Sequence, residues 1–385
     1  MSEGFGTRAI HAGQEPDPTT GAIMTPVYLT STYVQEAPGQ HKGYEYSRGA
    51  NPTRTAVEGC LAALEGGKHC ITTASGLSAS TIVLNALGSG AHVVAGDDLY
   101  GGTRRLFEEV YRPLGLTFSY VDSSDAGALK EALAATPPAL LWLETPTNPL
   151  LKITDLEEAA AHAHAHGAIV LVDNTFATPY LQQPLARGTD VVLHSLTKYL
   201  GGHSDLLGGA LILNDDERAE RYRYLLNATG PAPSAFDSFL VLRGLKTLHV
   251  RMDRHCDNAD RLAAWLQGHP RVRRIYHPAL PEHPGHAVAR RQMKRFGGML
   301  SIDLDGGAEE AMRFVSATRV FQLAESLGSV ESLIEHPASM THASVPAEER
   351  AKAGFTDGLI RLSIGIEDVE DLQADLERAF TAVFG

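Results

Sequence analysis

Between residues 56 and 213, short apolar runs alternate with helix-like segments, and no other feature of the chain restricts its fold as much. The helical pattern AVEGCLAALEGG precedes the run CITT, and ASGLSASTIVLNALGSG precedes AHVVAG. The alternation continues through TRRLFEEVYRPLG, LTFSYVD, AGALKEALAAT, ALLWLE, TDLEEAAAHAHAHG, AIVLVD and DVVLHS, and GGALIL adds a last strand. Apolar runs separated by amphipathic helices predict an α/β fold whose mostly parallel sheet is covered on both faces. Ligands of such sheets bind beyond the carboxyl ends of the strands. The residues to weigh are therefore those that follow each run.

The flanks read differently. Residues 1–55 are rich in Gly, Pro, Thr and Tyr without sustained periodicity, which predicts an extended arm packed on something else. After GGALIL the chain turns helical, and beyond RVRRIYHPAL shorter strands such as GGMLSIDL and GLIRLSIG return. The expected division is an arm over 1–55, a large domain over 56–250 and a smaller α/β domain over 251–385, with the change near 245–260.

Composition excludes several functions. The chain has 385 residues with 33 Lys+Arg against 46 Asp+Glu, a formal net charge of -13, which opposes any nonspecific grip on nucleic acid or an anionic bilayer. No apolar run approaches the ~18 residues needed to span a membrane, and the N-terminus lacks a secretory pattern. Cys60, Cys70 and Cys256 are too far apart for a metal quartet or a disulfide framework, so a cytoplasmic home is expected. In the run His162, His164, His166 only the outer two share a helix face, and no metal site is expected.

Three strand ends carry chemistry. AIVLVD delivers Asp173, and DVVLHS delivers Ser195, Thr197 and Lys198 at the end of the next run. Earlier, TTASGLSAS places small residues before a helix, so that backbone amides at Ser75, Gly76 and Leu77 offer an anion site at a helix start. The glycine spacing of nucleotide-binding loops is missing, which argues against a dehydrogenase. A phosphate cradle, a carboxylate and a lysine at neighbouring strand ends fit pyridoxal 5'-phosphate (PLP). A lysine bonds its aldehyde, a carboxylate keeps its ring nitrogen protonated, and amides and hydroxyls hold its phosphate.

The ordered segments YEYSRGANPTR, ASGLSA, DDLYGGT, ETPTNP, VDNTFATP, HSLTKYLGGHSD, LAESLG, MTHAS and IRLSIGIED make the chain resemble the Cys/Met-metabolism family of PLP enzymes. The resemblance implies the fold type I architecture of PLP-dependent transferases, assembled as a homotetramer of two active dimers. It implies that Lys198 is the cofactor-bonding lysine, Asp173 the partner of the ring nitrogen, and Tyr100 the tyrosine that stacks on the ring and assists proton transfer. Ser75, Gly76, Leu77, Ser195 and Thr197 match phosphate-side positions. Tyr46 and Arg48 match the pair that reaches the phosphate of the neighbouring subunit. Arg361 corresponds to the arginine that grips the substrate α-carboxylate, with Asn148 and Ser326 around it. Glu144 is expected to maintain the local polar network and is held outside the catalytic set.

Within the family, Glu45 and Glu325 resemble the acidic pair that meets the distal ammonium of cystathionine in enzymes of γ chemistry. The cysteine that methionine γ-lyases carry near YGGT is absent, and β-lyases are expected to diverge more in the C-terminal region. The expectation is therefore a cystathionine γ-lyase, with cystathionine γ-synthase as the alternative. The family often has Asn where this chain has Gly201, a change expected to loosen the backbone just past Lys198.

Overall fold

The computed structural model describes residues 3–343 and 346–385; Ser344, the last residue of MTHAS, lies outside them. Seven strands form the large sheet: β1 (His69–Thr73), β2 (His92–Gly96), β3 (Thr117–Val121), β4 (Leu140–Glu144), β5 (Ile169–Asp173), β6 (Val191–Ser195) and β7 (Gly209–Leu213). Their order is β1-β7-β6-β5-β4-β2-β3. All neighbours from β6 through β3 pair in parallel, whereas β7 runs antiparallel to both β6 and β1. The carboxyl ends of β1, β2, β4, β5 and β6 therefore reach one edge.

Five strands form a smaller sheet: β8 (Val272–Tyr276), β9 (Met299–Leu304), β10 (Gln322–Leu323), β11 (Leu333–Glu335) and β12 (Leu359–Ser363), in the order β10-β11-β12-β9-β8. It is antiparallel except for the β10–β11 pair. The mostly parallel large sheet and the separate smaller sheet make the α/β architecture expected from the alternation.

Helices cover the large sheet on both sides. Before and between its strands lie α1 (Phe5–His11), α2 (Pro52–Glu65), α3 (Gly76–Leu87), α4 (Gly101–Arg105), α5 (Ala126–Ala135), α6 (Leu156–Ala165) and α7 (Thr178–Leu181). After it come α8 (Asp216–Thr229), α9 (Ala235–Leu245), α10 (Leu248–Leu266), α11 (His286–Gln292), α12 (Ala308–Ala317), α13 (Ala347–Ala353) and α14 (Val369–Phe384). Every residue of β4 is buried, as a strand sandwiched by helices requires. On one face Leu171, Val191 and Leu193 pack with Ile82 and Leu84 of α3; on the other Val192 and Ile212 pack with Leu61 and Leu64 of α2.

Helix α10 takes part in both halves. Leu248, Met252 and Cys256 belong to the core beneath the large sheet, whereas Ala259, Leu262 and Leu266 belong to the core beneath the small one. Most of the 245–260 window in which a change of domain was expected lies on this one continuous helix.

Gly201 sits in a hydrogen-bonded turn. Its N–H donates to the Leu196 carbonyl at 2.9 Å, its own carbonyl lies 2.8 Å from His203 Nδ1, and any Cβ there would sit 2.8 Å from the Leu196 oxygen. The segment is tied down, and a side chain at 201 would have to displace the turn.

His162 and His164 lie on α6 beside Glu158 and Asp190 at 3.6 and 2.9 Å. Cys60, Cys70 and Cys256 are buried free thiols. Among the described residues, no helix is long and apolar enough to cross a membrane.

Candidate active site

A cavity of about 330 Å³ opens at the shared strand edge. Its walls include Ser75, Gly76, Leu77, Tyr100, Asn148, Asp173, Ser195, Thr197, Lys198, Glu325, Ser326 and Arg361. Twelve of the residues singled out from sequence thus meet in one place. Glu45, Tyr46 and Arg48 do not. On the N-terminal arm, Glu45 pairs with His41 at 3.1 Å, and the Arg48 guanidinium stacks 5.3 Å from the Tyr46 ring and donates to Asn227 Oδ1.

The floor is built by strand ends. Ser75 caps α3: its Oγ accepts the Ser78 N–H at 3.1 Å, leaving the first-turn amides of Gly76 and Leu77 without intrahelical acceptors. Gly76 sits against Ser195, where a Cβ would lie 3.2 Å from the Ser195 Cβ. Gly209, at the start of β7, lets the Ser75 turn approach; a Cβ there would stand 2.2 Å from the Ser75 carbonyl oxygen. The result is a small concave surface with N–H groups, hydroxyls and a helix N-terminus.

Asp173 ends β5 beside Glu144, its register partner at the end of β4. Its Oδ1 accepts the Thr175 N–H at 3.0 Å, and among the described residues it has no ion-pair partner. Burial, and then the Asp173 charge, push Glu144 well above the usual carboxylate range, although Glu144 accepts the Tyr100 N–H at 2.9 Å. Burial also raises Asp173, but its bonds from Thr175 and the neighbouring His194 oppose this. Burial weighs on both carboxylates, and the bonds from Thr175 favour the ionised form of Asp173, which faces the cavity.

Lys198 reaches across from the loop after β6, and its Nζ donates to Ser326 Oγ at 2.7 Å. Burial lowers its amine to about 8, and the positive charge of Arg361 acts the same way while Glu335 and Glu325 resist. Ser326 holds φ 89°, a left-handed conformation that costs a non-glycine residue roughly 1 kcal/mol or more. That backbone lets one residue serve two partners, because its carbonyl accepts Arg361 Nη2 at 2.6 Å.

Arg361 is 2% exposed and comes from the small sheet. Nη1 donates to Asn148 Oδ1 at 3.0 Å and lies 3.0 Å from Glu335 Oε1. Of its five N–H groups, Nε–H has no acceptor among the described residues. Tyr100, 39% exposed at the mouth, has its phenol pKa raised by burial, so at neutral pH it keeps its proton.

Sequence reasoning missed several residues. Thr175, Phe176, Leu327 and Thr341 also line the cavity. Glu335 stands directly behind Arg361; its only signal was a charged residue closing the short apolar pair Leu333–Ile334.

These residues fit PLP. The unpaired Asp173 carboxylate calls for a protonated ring nitrogen, the Gly76–Ser195 cradle with its free amides suits a phosphate, and Lys198 is an amine of lowered basicity facing the same space. Residues 6–381 match the family described as Cys/Met metabolism PLP-dependent enzymes. The chain belongs to that family. It is 55% identical over 375 residues to a cystathionine beta-lyase of Coxiella burnetii, covering 97% of each chain. It is 51% identical over 376 residues to a cystathionine gamma-lyase of Dictyostelium discoideum, again with 97% of each covered. Among solved structures, a cystathionine gamma-synthase of Xanthomonas oryzae pv. oryzae in complex with aminoacrylate and cysteine aligns with a TM-score of 0.97 and 46% identity, covering 100% of this chain and 99% of that one. The chain is thus a PLP-dependent enzyme.

Proposed function

We propose that the enzyme cleaves L-cystathionine by α,γ-elimination to L-cysteine, 2-oxobutanoate and ammonia. The observation that carries this reading is Glu325, an exposed carboxylate at the mouth of the cavity that also contains Arg361 and Lys198. A long diamino substrate has a carboxylate for Arg361 at one end and an ammonium for Glu325 at the other. When bound, PLP supplies the electron sink that makes the hydrogens near the substrate amino group acidic.

The chain's own residues do the rest. Arg361 binds the α-carboxylate through donors that Asn148 and Ser326 hold in place. Lys198 removes the α proton, as an amine with a pKa near 8 is suited to do at neutral pH, and then moves protons at the β and γ carbons. Tyr100, protonated and close to the opening, assists the departing thiol. Asp173 holds the ring nitrogen, and Ser75, Gly76, Leu77, Ser195 and Thr197 hold the phosphate.

The same acids serve a γ-synthase, in which a cysteine thiol adds where the lyase lets its intermediate hydrolyse, and this is the second reading. The segments YGGTRRLF and FQLAESLGSVESL resemble those of lyases slightly more than those of synthases, which supports the first reading. Assays with L-cystathionine alone separate the outcomes: 2-oxobutanoate supports γ cleavage, whereas pyruvate means β cleavage and overturns the proposal. An O-acylhomoserine plus cysteine, run in parallel, tests the synthase; rapid cystathionine formation with little cleavage would replace the lyase assignment.

The arm supports assembly into a homotetramer of two active dimers. Ile23, Leu29 and Val34 are 86%, 77% and 94% exposed, and Tyr46 and Arg48 stand away from their own chain's cavity. In this reading Tyr46 and Arg48 complete the phosphate site of a second copy, and Glu45 joins that copy's Glu325. Sedimentation that finds a monomer with full activity would contradict it. Free buried thiols fit a cytoplasmic enzyme.

A further inference from the structure

Arg361 meets an anion before any substrate arrives. It lies opposite Glu335 in the β11–β12 pair, with Nη1 and Oε1 3.0 Å apart and side chains 2% and 1% exposed. Glu335 Oε1 also accepts the Thr341 hydroxyl at 2.7 Å, whereas Oε2 is buried with no partner among the described residues. Arg361 and Thr341 line the cavity, but Glu335 stands behind them. The carboxylate neutralises the arginine from the side that substrate cannot reach.

A substrate carboxylate docked on the cavity side of Arg361 places a second anion on the same guanidinium. Two carboxylates sharing one buried partner raise each other's proton affinity, most for the one with less compensation. The incoming group brings its own hydrogen-bonding fork and faces the open cavity. Glu335 has an orphan oxygen and no solvent. Burial already raises its proton affinity; Arg361 from β12 and Lys198 from the loop after β6 resist, and Glu325 from the loop after β10 reinforces. Nearby His342, kept at about 4 by burial, stays neutral and supplies no charge.

We propose that Glu335 takes up a proton when a carboxylate docks on Arg361, which couples recognition of the substrate's acid end to pH. The inference rests on the reading of Arg361 as the carboxylate-binding residue. Affinity then falls as pH rises, by up to tenfold per unit across the window between the free and bound states of Glu335. Glu335 is a positioning residue: it acts through Arg361 and touches no substrate.

The test uses the PLP-loaded enzyme and propanoate, a carboxylate with no amino group to displace Lys198. Titration calorimetry in two buffers of different ionisation enthalpy, from pH 6 to 8.5, counts protons taken up, and cofactor absorption records the share that belongs to Lys198. The wild type is expected to take up close to one further proton and to bind less tightly as pH rises. Glu335→Gln is expected to take up none beyond that share and to bind with a flat pH profile. No uptake by the wild type, the same uptake by Glu335→Gln, or uniformly weaker binding with an unchanged pH slope would each overturn the proposal. Thr341→Val gives an independent handle should Glu335→Gln fold poorly: removing that hydrogen bond moves the window to higher pH, and an unmoved window counts against Glu335. Arg361→Met separates the two readings. Undiminished propanoate binding there removes the carboxylate role of Arg361 and the proposal with it, whereas lost binding without wild-type uptake defeats only the proposal.

Discussion

Replacing Lys198 with methionine is expected to make the cofactor-free protein more stable at neutral pH. The amine has its pKa lowered from 10.5 to about 8, mainly because burial disfavours its charged form. At pH 7 it is protonated in both folded and unfolded chains, so the folded state bears the whole desolvation cost. At about 1.4 kcal/mol per unit this amounts to roughly 3 kcal/mol. Methionine has similar length and no charge, but it forfeits the hydrogen bond to Ser326, worth about 1 kcal/mol. The net gain is therefore about 2 kcal/mol at pH 7. Between pH 8 and 10.5 the folded wild type releases the proton while the unfolded chain retains it, so wild-type stability rises with pH relative to the variant. Urea denaturation of both proteins at pH 7 and pH 10 measures the difference directly. The gain should vanish by pH 10. A variant less stable than wild type at pH 7, or a difference independent of pH, would refute the claim that the site holds this lysine at an energetic cost.

Other outcomes follow from the same geometry. Arg361→Lys removes the planar fork and its bonds to Asn148 and Ser326, and should raise KM roughly 30- to 100-fold with a smaller effect on kcat, measured by steady-state kinetics. Asp173→Asn leaves the ring nitrogen without an anion; a partner charge at this range is worth about 1 to 3 pK units, so kcat should fall by roughly 10- to 1000-fold while PLP still binds. Gly209→Ala forces a Cβ to within 2.2 Å of the Ser75 carbonyl oxygen, and equilibrium dialysis should find PLP affinity at least about tenfold weaker, with far less change in affinity for phosphate-free pyridoxal.

Much of this was legible in the sequence because periodicity and strand ends are local. The runs AIVLVD and DVVLHS became the adjacent parallel strands β5 and β6, which is why Asp173 and Lys198 face one cavity. What could not be read was set by distant contacts. The antiparallel insertion of β7 between β1 and β6 brings Gly209 against the Ser75 turn, and no pattern within GGALIL announces that pairing. The segment TRRLFEEVYRPLG reads as one helix, yet the turn after α4 widens to a π-helix over Leu106–Tyr111, where Phe107 stacks on Phe118. Glu335 hid for the same reason: its importance comes from Arg361, 26 residues later and one strand away.

Helix α10 gives the cavity a property that neither sheet has alone. Lys198 is anchored to the large sheet and Arg361 to the small one, and the rod Leu248–Leu266 is embedded in the cores of both. Widening the gap between the amine and the guanidinium would mean bending a helix through two packed interiors. The cavity is thus a caliper whose jaws, Lys198 and Arg361, are set by one helix.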